Sequence, residues 1–277
     1  MTEQLAKTKQ PTVRIGAVGY LNARPLILTL PQLVPEARIT VDLPSRLADG
    51  LADGRLDVAM VPSIEYFRNP EWTIVSDACV ACDGPVRSVK LFGRVPVERI
   101  RTLALDEGSR TSAALVRILL KERFGLEPQL YPLPIGASLE DAEVDAVMLI
   151  GDRAMLPMAG RYEFVWDLGD EWSRWTGLPF VFAMWIARSG IDLQDVAEAL
   201  STARDEGVER LDQIARCEAP KLGLSQHECR AYLRENLDFQ LRERQRQGLQ
   251  RFRELAARHG LVPAGVELVF YDQPTAR

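Results

Sequence analysis

The chain has 277 residues, 47% of them apolar, with a formal net charge of −5 at pH 7. That length and apolar content can build a large core, as one α/β unit or as two lobes. No basic run exceeds an isolated pair, which excludes the electrostatic footprint of a nucleic-acid or anionic-membrane binder. Any anionic ligand must therefore be held by local groups. The opening "MTEQLAKTKQPTV" lacks the apolar core of a signal peptide, and no window reaches the roughly 18 unbroken apolar residues of a membrane span. The expected location is the cytoplasm.

In chain order, Val13, Ile15 and Ala17 alternate with Arg14 and Gly16 as in a strand, and Pro25 suits the first turn of a helix. Tyr20, Asn22 and Arg24 crowd the bend between them. Two readings are open there: Asn22 caps the helix and Arg24 is solvated, or both meet a ligand. "ARITVDLP" reads as a strand, Ser45 as the cap of a helix with Leu47 and Leu51 inward, and "LDVAMVP" as a buried strand. "TLALDEGSRTSAALVRILLKERFG" is a strand, a polar turn and a helix with Leu115, Ile118 and Leu119 inward, closed by Gly125. "EVDAVMLIGDRAML" repeats the strand-to-helix plan with Gly151 at the switch. This alternation defines an α/β protein.

From Leu193 to His259 the chain reads as helical, with stops near Gly223 and Gly260. Leu241, Leu249, Phe252 and Leu255 form its expected buried edge, its charges a solvated face, and "VELVF" a returning strand. No Gly/Ser linker separates sequential domains, so lobes must be joined by crossing strands. "VRSVKLFGRVP" and "PFVFAMWIARS" are the candidates. They give one lobe of residues 12–92 plus 184–277 and a second of residues 93–183, with the ligand in the cleft between.

Metal and redox chemistry find little support. Cys79 and Cys82 are three apart in what reads as a strand, so they point to opposite faces, and His227 and Cys229 do not share a helix face. No second C-x-x-C or H-x-x-x-H completes a zinc site. With His227 and His259 the only histidines, both in the C-terminal helical stretch, a His-based nucleophile has no obvious place. Glu65, Asp106 and Asp152 could act as bases, although capping or solvated roles explain them more simply.

Working residues in an α/β cleft come from strand C-termini and helix N-termini. The turns "GYLNARP", "VPSIEY", "DGPVRSVKLF", "DEGSRTSAAL" and "LIGDRAM" qualify. In the fourth, Ser109, Thr111 and Ser112 set hydroxyls beside the unpaired N–H groups of a helix start, as a plain cap or as a carboxylate or phosphate site. No GxGxxG or GxxxxGK[ST] accompanies it.

In this order "GYLNARPL", "LDVAMVPSIEY", "DGPVRSVKLF", "SRTSAALVRILL", "AVMLIGD" and "TGLPFVFAMW" resemble the chorismate dehydratases of the futalosine route to menaquinone, over about residues 12–270. The paralogous dihydroxynaphthoate-forming enzyme typically opens with a Pro-Cys-Pro-Asn-type turn, from which "GYLNARP" departs. The resemblance implies a two-lobe fold of the type II periplasmic-binding-protein kind with two crossing hinge strands. It also implies loss of water from chorismate to give 3-enolpyruvylbenzoate, with no metal or organic cofactor and a small molecule as partner. Asn22 is then the expected catalytic residue, with Tyr20, Arg24, Ser63, Ser88, Ser109, Thr111, Ser112 and Gly151 expected around the substrate. The alternatives are a non-enzymatic solute-binding protein of the same fold and the paralogous dihydroxynaphthoate-forming enzyme of the same route.

Overall fold

The structure, a computed structural model, describes residues 12–139, 141–158, 160–193 and 195–271. Most of the N-terminal stretch read for an export signal lies outside them, as do residues 272–277 of the expected first lobe. The strands are β1 (Arg14–Val18), β2 (Arg38–Asp42), β3 (Val58–Pro62), β4 (Thr73–Cys82), β5 (Val89–Gly93), β6 (Thr102–Asp106), β7 (Gln129–Leu133), β8 (Ala146–Ile150), β9 (Phe164–Asp167), β10 (Phe180–Ala187) and β11 (Asp238–Gln240). They form two sheets, in the orders β11-β4-β10-β3-β1-β2 and β7-β6-β8-β5-β9. The helices are α1 (Arg24–Ile27), α2 (Leu30–Leu33), α3 (Pro44–Ala52), α4 (Ser63–Arg68), α5 (Arg110–Phe124), α6 (Leu168–Thr176), α7 (Val196–Glu209), α8 (Leu211–Leu222), α9 (Gln226–Ala231) and α10 (Glu243–Arg258).

Each sheet is the core of one lobe, and the chain passes between them twice. β4 ends in the first sheet and β5 begins in the second, so the first passage is residues 83–88. The second is residues 177–179, because all eight residues of β10 belong to the first sheet, antiparallel to β3 and β4. The passages thus lie at the leading end of each expected crossing segment. The expected boundaries at 92/93 and 183/184 fall inside β5 and β10. The cause is pairing: Val89–Gly93 are matched to β8 and to β9, and buried apolar strands look alike in sequence whichever sheet they join.

Local chemistry explains most elements. β3, β8 and β10 are buried throughout and read as unbroken apolar runs. Gly125, Gly177 and Gly223 take left-handed conformations that close α5, α6 and α8. Ser45 is not a cap; α3 starts one residue earlier at Pro44, and Ser45 is buried inside it. Asp238–Gln240 interrupts the C-terminal helical run to pair with β4, and "VELVF" makes only a single bridge, Phe270 to Ile74.

α7 lies so close to α1 that a Cβ on Gly207 would sit 1.8 Å from the Pro25 carbonyl oxygen. Gly→Ala in a helix ordinarily gains about 1 kcal/mol. Here the contact is backbone, and overpacking of about 1–3 kcal/mol or more outweighs that gain. Gly207→Ala should therefore lower Tm by at least about 2 °C in thermal unfolding, despite its better helix propensity.

Candidate functional site

The interlobe cleft contains about 490 Å³ of space free of protein atoms, open solvent included. Its walls combine strand ends from both lobes. Val18 ends β1, Pro44 starts α3, Met60 and Pro62 come from β3, Val80 from β4, and Phe182 and Ala183 from β10; across the cleft stand Ile150 at the end of β8, Gly151 after it, and Ser109 and Ser112 at the start of α5. Tyr20, Asn22, Val86, Ser88 and Val89 complete the chamber. Every polar side chain in this wall is uncharged: a phenol, an amide and three serine hydroxyls.

The turn Leu21–Ala23 is a single turn of 3-10 helix leading into α1. Asn22 makes no capping bond for either helix. Its Oδ1 is buried with no partner among the described residues, a costly state for an amide oxygen. The cap positions belong to Tyr20 and Ala23, so the cap reading of Asn22 fails, and Asn22 lines the chamber. Tyr232, which belongs to a π-helical turn over Tyr232–Asn236, donates from its hydroxyl to Ser88 Oγ at 2.8 Å. Burial pushes that phenol strongly up, opposed by its bond with Ser88. Tyr232 thus braces the wall residue Ser88 while staying protonated. Nothing in the C-terminal helical pattern singles it out, since an inward Tyr at helical spacing reads as core.

Tyr20 crosses from the first lobe to the second. Its ring lies against Gly151, where a Cβ would stand 2.8 Å from Tyr20 Cε1. Burial, with Asp106 nearby, pushes its pKa up to about 12, so the phenol is a donor at neutral pH. Asp106 accepts from Gly108 N at 2.9 Å and Ile150 N at 3.3 Å and pairs with Arg153, fixing the two backbone segments beside Tyr20. Ser109 is the N-cap of α5, accepting from Ser112 N at 3.3 Å and donating to Ser112 Oγ at 2.9 Å. The first N–H groups of α5 leave this corner electropositive, as at any helix start.

The expected site residues therefore divide. Tyr20, Asn22, Ser88, Ser109, Ser112 and Gly151 share the chamber. Ser63 and Thr111 do not line it: both are fully buried, 3.4 Å apart, Ser63 Oγ donating to the Val181 carbonyl and Thr111 Oγ1 accepting from Ile64 N. Their hydroxyls join the lobes instead. Arg24 turns away to Glu218, at 3.7 Å, because α1 carries it toward α8. Glu65 and Asp106 are buried and ion-paired, not solvated. Among the described residues no three His, Cys, Asp or Glu side chains cluster as metal ligands. Burial holds the Cys79 and Cys82 thiols well above their ordinary range, so both are unreactive.

The architecture is found among solved structures. The chain is similar to a protein from Archaeoglobus fulgidus, with a TM-score of 0.71 at 17% identity, covering 91% of this chain and 98% of that one. It is also similar to the periplasmic aliphatic sulphonate binding protein SsuA from Escherichia coli, with a TM-score of 0.60 at 19% identity, covering 93% and 96%. The fold is thus that of the periplasmic binding proteins, with two lobes and the pocket between them. At the level of sequence, the family described as menaquinone biosynthesis matches residues 13–258. A chorismate dehydratase from Thermus thermophilus is 33% identical over 259 residues, 87% of this chain and 93% of the relative. The chain belongs to this menaquinone biosynthesis family. No helix among the described residues is long and apolar enough to cross a membrane.

Proposed function

We propose that the chain is a chorismate dehydratase, acting in the cytoplasm on the free substrate and forming 3-enolpyruvylbenzoate and water. The observation that carries the reading is the free, buried Asn22 Oδ1 in a chamber whose wall has no charged side chain. Elimination needs the C3 proton removed and the C4 hydroxyl expelled. The C3–H electron pair becomes the new ring double bond, the C4–O bond breaks, and the hydroxide leaves as water with the proton. No wall residue offers a carboxylate or imidazole for that proton. The enolpyruvyl carboxylate of the substrate, one ether bond from C3, is the acceptor that remains.

The protein's part is position and polarity. The amide of Asn22 can hold the C4 hydroxyl, as Oδ1 accepts a hydrogen bond from it and fixes the direction of the breaking bond, while the proton taken from C3 goes to the departing oxygen. The Ser109–Ser112 corner, at the head of α5, suits the ring carboxylate. A protein carboxylate in the wall would repel both acid groups of the substrate. Incubation of purified protein with chorismate, followed by absorbance and by mass of the aromatic product, tests the reading. Binding without turnover would instead make it a solute receptor, the role of several proteins of this fold.

A further inference from the structure

Asp152 stands on the second lobe, at the start of the turn Asp152–Met155, and both its carboxylate oxygens lie near the first lobe's Leu21 N, at 3.1 and 3.2 Å. Leu21 is flanked by Tyr20 and Asn22. Asp152 does not line the chamber, so it has no direct part in the chemistry. The groups that face it, Arg24, Glu218 on α8, Cys229 on α9, Tyr232 and Tyr20, all belong to the first lobe. Its neighbour Arg153 is turned to Asp106. Opening the lobes would therefore return this carboxylate to water and release the Leu21 N–H.

We propose that Asp152 is a positioning residue: lobe closure seats its carboxylate on the Leu21 N–H, and this bond sets the turn that presents Asn22. The inference rests on the dehydratase reading for its kinetic consequence, though not for the latch itself. Closure also has a proton linkage. Burial, opposed by the Leu21 bond and by Arg24, lifts the closed-state carboxyl from 3.8 to about 6. In the open state it regains an ordinary value, so closing takes up a proton. The closed form is then favoured as pH falls and loses that advantage as pH rises through about 6. Between pH 5 and pH 7 the ratio of closed to open should drop about tenfold.

Asp152→Asn keeps an acceptor for Leu21 N and removes the charge; Asp152→Ala removes both. With chorismate, Asp152→Ala should lose about tenfold or more in kcat, and Asp152→Asn should recover most of it. The wild-type KM should rise about tenfold from pH 5 to pH 7, while KM of Asp152→Asn stays level. Small-angle scattering without ligand should show the wild type expanding over that interval and Asp152→Asn unchanged. A wild-type kcat in Asp152→Ala, or the wild-type pH response in Asp152→Asn, overturns the latch. If Asp152→Ala does not fold, the Asp152→Asn pH profile decides alone. A wild type that converts no chorismate overturns the dehydratase reading, and the scattering comparison still decides for or against Asp152.

Discussion

Asn22→Asp should fold like the wild type and dehydrate chorismate more slowly by at least about 100-fold, the scale set by loss of a positioned polar group from a transition state. Asp caps helices as well as Asn, so a cap would tolerate the change. Asn22 makes no capping bond, and its Oδ1 has no partner among the described residues to lose. Stability therefore has little at stake. A carboxylate there would face a substrate with two negative charges in a wall that has no counter-charge. Asn22→Ala should lose comparable kcat while still binding product, because the Ser109–Ser112 corner is intact. Steady-state kinetics beside thermal unfolding separate the two effects. An Asn22→Asp protein with wild-type turnover would return Asn22 to a structural role.

Gly151→Ala should cut kcat/KM by about tenfold to a hundredfold through two additive causes. Gly151 has φ 75° and ψ −166°, a region essentially closed to other residues, at about 1–3 kcal/mol. The added Cβ would also meet the Tyr20 ring at 2.8 Å from Cε1 and 2.9 Å from Cζ. Either Tyr20 leaves the chamber or the lobes stay apart. A double-mutant cycle resolves the causes: pairing Gly151→Ala with Tyr20→Ala removes the clash and leaves the backbone strain. Fully additive losses in the double variant would show that the ring contact does not matter.

The alternation of strands and helices was legible because β1 and α5 carry their own period, β3 and β8 are unbroken apolar runs, and stops such as Gly125 bound them. Which sheet a strand joins was not, because Val89–Gly93 and Phe180–Ala187 have the same apolar character and only partner register tells them apart. The lining of the candidate chamber was legible where it sits on turns between such elements, at Tyr20, Asn22, Ser88, Ser109, Ser112 and Gly151. The direction of Arg24 was not legible, because charge complementarity in sequence has no direction; α1 carries the guanidinium to Glu218, outside the chamber lining. Asp152 looked like a cap or a solvated acid because its partner, Leu21 N, is 131 residues away.

The place of β10 bears on how the protein is made. In the first sheet β3 and β4 meet only through β10, which reaches the ribosome exit about a hundred residues after them. Until then both carry an unpaired apolar edge, the kind of surface that recruits other chains. The second lobe, by contrast, comes from one continuous stretch and can complete its sheet first. During synthesis the younger lobe would thus be finished before the older one, and a chain halted before Phe180 would hold a folded second lobe tethered to an aggregation-prone half-sheet.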